Sequence, residues 1–80
     1  MNGIQLRMAR AAIGWGVRDV AKKAGVTANT VTRIENGADA KQSTVEKLQR
    51  ALEAAGVQFI EENGGGPGVR LKKAVAKKWD

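Results

Sequence analysis

Residues Gly16 to Gly37, GVRDVAKKAGVTANTVTRIENG, contain two short helical patterns separated by a glycine-centred turn. Val17, Val20, Ala21 and Ala24 recur at spacings of three and four, which lines them up on one buried helix face, while Lys22 and Lys23 fall on the opposite side. Gly25 stands where a helix closes in the left-handed conformation. Thr27 follows as an N-cap whose hydroxyl accepts from a free amide of the next helix, so that helix begins near Ala28. Within it Val31 and Ile34 face inward, Ala28, Asn29, Thr32 and Arg33 are left facing out, and Asn36-Gly37 stops it.

Upstream, a helix is expected from about Ile4 to Ile13, with Leu6, Ala9, Arg10 and Ile13 on one face. Arg10 is the oddity on that face, because a buried guanidinium needs a partner. Glu35 offers one, and the alternative is that Arg10 snorkels to solvent. Gly14-Trp15-Gly16 makes the turn into the second helix, with Trp15 read as a core plug between helices. Downstream, Ala38 to Gln42 is polar and loop-like. Ser43-Thr44-Val45-Glu46 has the pattern of a capping box, Ser43 capping the amide of Glu46, and Val45, Leu48, Leu52 and Ala55 then give a fourth helix its apolar face before Gly56 ends it.

After Gly56 the apolar period changes from 3.6 to 2. Val57 and Phe59 alternate with Gln58 and Ile60, a glycine-rich stretch follows, and Val69-Arg70-Leu71 resumes the pattern, which predicts a short hairpin. Gly64-Gly65-Gly66 lacks the Gly-Lys-Ser/Thr ending and the following helix of a phosphate-binding loop and reads as a turn. An isolated hairpin is barely stable in water, so these strands either pack on the helices or pair with a second subunit. The expectation taken forward is a division into residues 1–56 and 57–80, with Val57, Phe59, Ile60, Val69 and Leu71 building much of a dimer contact. In the last residues Leu71, Val75 and Trp79 are spaced for a short amphipathic helix, although a solvated basic tail is equally compatible.

Eighty residues fit one domain, and a chain this short buries only about 60–65% of its unfolded surface, so partners would add stability. Cysteine and histidine are both absent, which excludes a disulfide framework, zinc fingers and the usual nucleophile–histidine pairs; no metal or cofactor is expected, and no enzyme. Arg7 and Arg10 interrupt the first apolar stretch, so neither a secretory signal nor a membrane span is expected and the location is read as cytoplasmic. Net charge is +6, of which residues 69–80 carry +4 and residues 1–68 only +2. That balance favours nucleic acid over acidic or neutral partners.

The linked set Ala21, Gly25, Val26, Thr27, Val31, Ile34, Glu35, Asn36 and Gly37 resembles the phage-repressor/Cro-like (XRE) helix-turn-helix family, and the helical pattern from Leu6 to Ala55 extends the likeness over roughly two thirds of the chain. The resemblance implies a mainly α, compact four- to five-helix lambda-repressor-like domain, here with a short C-terminal β-hairpin. It also implies the Arg10–Glu35 pairing. Two positions depart from the family: Val17 stands where members carry a phosphate-contacting glutamine, and Ala28 stands where many place a base-reading glutamine or arginine. The function implied is a bacterial or phage-type transcriptional regulator, a repressor or autoregulator, binding double-stranded DNA as a homodimer and located on the nucleoid. Asn29 and Arg33 would read adenine and guanine, Thr27, Thr30 and Thr32 would add contacts beside Ala28, and Asn36 and Lys41 would position phosphates. The rival reading is an antitoxin or protein-interaction module with the same fold, whose protein partner would use residues 57–80. An RNA-binding module is disfavoured by the shortage of stacking aromatics.

Overall fold

The computed structural model describes residues 1–61 and 64–72. Within them four helices, α1 (Gly3–Ile13), α2 (Val17–Ala24), α3 (Ala28–Glu35) and α4 (Gln42–Ala54), precede an antiparallel hairpin of β1 (Val57–Ile60) and β2 (Gly68–Leu71). The fold is thus mainly α with a C-terminal hairpin. The amphipathic or basic tail expected to run through Val75 and Trp79 lies outside the described residues.

Each helix start has its own chemistry. α1 begins at Gly3 because Asn2 and Gln5 form a reciprocal capping box: Gln5 N–H donates to Asn2 Oδ1 at 2.8 Å and Asn2 N–H donates to Gln5 Oε1 at 3.0 Å. α2 follows an N-cap at Gly16, whose N–H donates to the Asp19 carboxylate at 2.7 Å. It ends at Gly25, with φ of 74°, after which the Val26 N–H donates back to the Ala21 carbonyl at 3.0 Å and turns the chain toward α3.

The fourth helix corrects the sequence reading. Ser43 is not its cap. The helix starts at Gln42 with Lys41 at the N-cap and no capping side chain, so Ser43 lies inside the first turn. The Lys41 carbonyl already accepts from Thr44 and Val45, and the Glu46 carboxylate, instead of returning to the Ser43 amide, accepts from Gln42 Nε2 at 3.4 Å. Starting earlier gains intrahelical hydrogen bonds that a box centred on Ser43 would forgo.

Leu6, Ala9 and Ile13 of α1, Val20 and Ala21 of α2, Val31 and Ile34 of α3, Leu48 and Leu52 of α4, and Val57 of β1 form one buried cluster. Trp15 packs against it half-buried, as do Val17, Ala24 and Ala55. In the hairpin Val57 pairs with Leu71 and Phe59 with Val69, with β2 lying mainly on α1 and β1 on both α4 and α1. Val57 is completely buried, and Phe59, Val69 and Leu71 pack on the same core. Val57 of the face that the sequence assigned to a second subunit is therefore covered within the chain, whereas Phe59, Ile60, Val69 and Leu71 keep part of their surface exposed; alternation marks a face for burial without saying what buries it. Gln5, only 4% exposed, ties the hairpin down by donating through Nε2 to the carbonyls of Ile60 and Gly68, each at 3.0 Å. Its oxygen serves the α1 cap, so the whole amide is satisfied.

Candidate nucleic-acid interface

Most of the binding residues expected from the sequence lie on α3 or at its two ends, and the way this helix is fixed explains its exposed face. At its start the Thr27 hydroxyl accepts the Thr30 N–H at 3.1 Å and lies 2.8 Å from the Thr30 hydroxyl, so the two threonines hold each other. Val31 and Ile34 anchor the inner side in the core. Asn29, Thr32 and Arg33 are exposed, and their spacing of three and four places them on neighbouring turns of one face. Ala28 differs from the expectation that it faces out: it is half-buried and packs against the core, which a methyl group at the first turn of a short helix can do without loss.

Past α3, Asn36 is exposed, and Lys41 is exposed at the start of α4. Arg33 and Lys41 line the same open cleft with Thr30, Ile34, Asp39, Ala40 and Thr44, about 340 Å³ in volume. Among the described residues neither cation is in a salt bridge. The cleft thus gathers Thr30, Arg33 and Lys41 from the expected set, while Asn29 and Thr32 remain on the helix face and Asn36 lies toward α1, where its Oδ1 accepts from Arg7 Nη2 at 3.5 Å.

The C-terminal end of α3 is held from α1. Arg10 Nε donates to Glu35 Oε2 at 2.6 Å and Arg10 Nη2 to Glu35 Oε1 at 2.8 Å, a bidentate pair, while Arg10 Nη1 donates to the Trp15 carbonyl at 3.1 Å. The side chains are 18% and 5% exposed, so the pair is largely withdrawn from water. Hydrogen bonding from Arg10 holds the Glu35 carboxyl below its ordinary value against the opposing effect of burial, and the same bond raises Arg10. Arg7 adds a weaker approach, its Nε 3.5 Å from Glu35 Oε1. Gly3 completes the junction: a Cβ there would overlap the Ile34 carbonyl oxygen, so α1 and α3 meet backbone to backbone.

Sequence reasoning missed Gly3, Gln5 and Arg7. Asn2-x-x-Gln5 is a readable capping pattern, whereas no local signal marks Gly3, whose role depends on how two helices cross.

A family model described as a helix-turn-helix domain matches residues 3–59, from the first residue of α1 into β1. No match was found among curated proteins.

Proposed function

The chain belongs to the helix-turn-helix domain family, and from that membership we propose that it is a sequence-specific regulator of transcription that places α3 in the major groove of double-stranded DNA. The observation that carries the reading is the exposed row Asn29, Thr32 and Arg33 on a helix whose inner face and both ends are fixed. An asparagine can hydrogen-bond adenine and an arginine guanine through paired donors and acceptors, and a fixed helix can present both with little further ordering. Phosphates would be held by Asn36, by Lys41 and by the amides at helix starts. The protein would act in the cytoplasm as a repressor or autoregulator without an enzymatic step. Among the described residues no helix is long and apolar enough to cross a membrane.

We further propose a homodimer. The register and the Lys72 N–H donating to the Gly56 carbonyl at 2.8 Å imply that Gln58 bonds with Arg70 and Ile60 with Gly68, which turns the amides of Phe59, Val69 and Leu71 to the outer edges, while that of Val57 is covered with the rest of its residue. A strand edge can extend across a two-fold axis, and this contact would use backbone rather than the apolar side chains that pack on the core. A dimer reading two half-sites sets its recognition helices about 34–36 Å apart. Footprinting on DNA upstream of the protein's own gene tests the function: a symmetric protected site with half-sites at that spacing is expected, and failure to protect any genomic site in a selection would reject sequence-specific binding.

A further inference from the structure

Arg7 lies beside the recognition helix without being needed to hold it. Its side chain is 59% exposed, and its two contacts, to Glu35 Oε1 and Asn36 Oδ1, are both 3.5 Å long. Glu35 is already matched by Arg10 through bonds of 2.6 and 2.8 Å. An exposed ion pair at the longer distance contributes little to stability. Two guanidinium groups therefore face one carboxylate, and the surplus positive charge sits on the solvent side of the α3 C-terminus.

The donor inventory of the two exposed side chains points the same way. A guanidinium carries five N–H donors in a planar fork and accepts nothing. Arg7 uses its long contacts for few of them, and among the described residues it has no other acceptor. Asn36 accepts from Arg7 through Oδ1, which leaves its amide nitrogen, also without a protein acceptor among the described residues, free to donate. The pair thus offers water a set of unused donors and one uncompensated charge. Its chemical complement is an anionic oxygen.

We propose that Arg7 is a phosphate-binding residue of the DNA interface, acting from α1 and closing with Asn36 on one backbone phosphate beside the groove that α3 enters. The inference rests on the DNA-binding reading above and adds to it a contact from outside the helix-turn-helix. Asn36 directly follows the helix that exposes Asn29, Thr32 and Arg33, so a phosphate held there flanks the base-reading face. Because the weak hold of Glu35 and Asn36 already restrains the guanidinium near that position, little additional ordering accompanies binding. The contact is blind to sequence, since every nucleotide carries the same phosphate.

The test uses the full chain, a short random-sequence duplex and the selected operator, with binding measured across a salt series for wild type, Arg7→Gln and Arg7→Lys. Arg7→Gln should flatten the dependence of log K on log salt by about 0.9 for each protomer bound, weaken operator and random duplex by the same factor, and leave the thermal midpoint close to wild type. Arg7→Lys, which keeps the charge, should restore most of the slope. If Arg7 only braces the end of α3, Arg7→Gln lowers the thermal midpoint and leaves the slope unchanged, and that result overturns the proposal while DNA binding by the wild type stands. Absence of salt-dependent binding by the wild type to either duplex would overturn both.

Discussion

Arg10 and Glu35 show how much one residue pair can be asked to do at the junction of α1 and α3. Burying either charge alone is costly, so removing one partner by Arg10→Met should destabilise the fold by about 3 kcal/mol, measured by urea unfolding, because Glu35 is left buried with only the distant Arg7. The pH dependence follows from the lowered Glu35 carboxyl. The unfolded chain takes up the proton first, near the ordinary glutamate value of about 4.3, so the pair's stabilisation is complete above that pH and is lost as pH falls through the lower folded value. Wild type and Glu35→Gln should accordingly differ most at neutral pH and converge in acid; a difference that stays constant down the series would contradict the role given to this carboxylate. Arg33 belongs to the other side of α3. Arg33→Ala should leave the fold intact, cost about 1–3 kcal/mol at the operator and relax preference at one base pair, and equal losses on operator and random DNA would count against base reading. Arg10 and Glu35 were legible as charges at positions patterned for burial. Gly3 was not, because its close approach to Ile34 depends on two helices far apart in sequence.

At the level of elements, local chemistry was readable wherever one signal dominated. Gly25 followed by Thr27 set both the end of α2 and the start of α3, and the structure uses both residues in those ways. Ser43 had an equally good local pattern and lost to a competing start, because Lys41 can leave the helix in an extended conformation and let Gln42 enter the first turn. The two sites therefore respond differently to the same change. Thr27→Ala should cost about 1 kcal/mol, the ordinary worth of a capping hydroxyl, and, in the proposed complex, weaken DNA binding by fraying the end of α3 that would meet the groove. Ser43→Ala should stay within about 0.5 kcal/mol of wild type, as for a surface position with no special contact. Thermal unfolding of both variants separates them. A large loss at Ser43 would restore the capping box that the structure replaces.

For the whole molecule, the alternation after Gly56 correctly implied a hairpin with one apolar face, but periodicity carries no information about which surface covers that face. The chain's own core covers Val57 fully and Phe59, Val69 and Leu71 in part, which has a consequence for any deletion. Cutting after Gly56 removes the fully buried Val57 and the strands over α1 and α4, so the remaining helices should lose cooperative unfolding rather than survive as a well-folded monomer. Deletion thus confounds folding with association, and dimerisation has to be tested on the full chain. Amide hydrogen exchange does so at the strand edges themselves. If two subunits join along one edge, the outward amide of Phe59 or those of Val69 and Leu71 should gain protection as protein concentration rises through the dimerisation range, while those of Gln58 and Arg70, already bonded across the hairpin, should change little. Sedimentation over the same range supplies the association state. A dimer by sedimentation with no concentration-dependent protection at any of these three outward amides would move the interface away from the hairpin edge and onto the helical body.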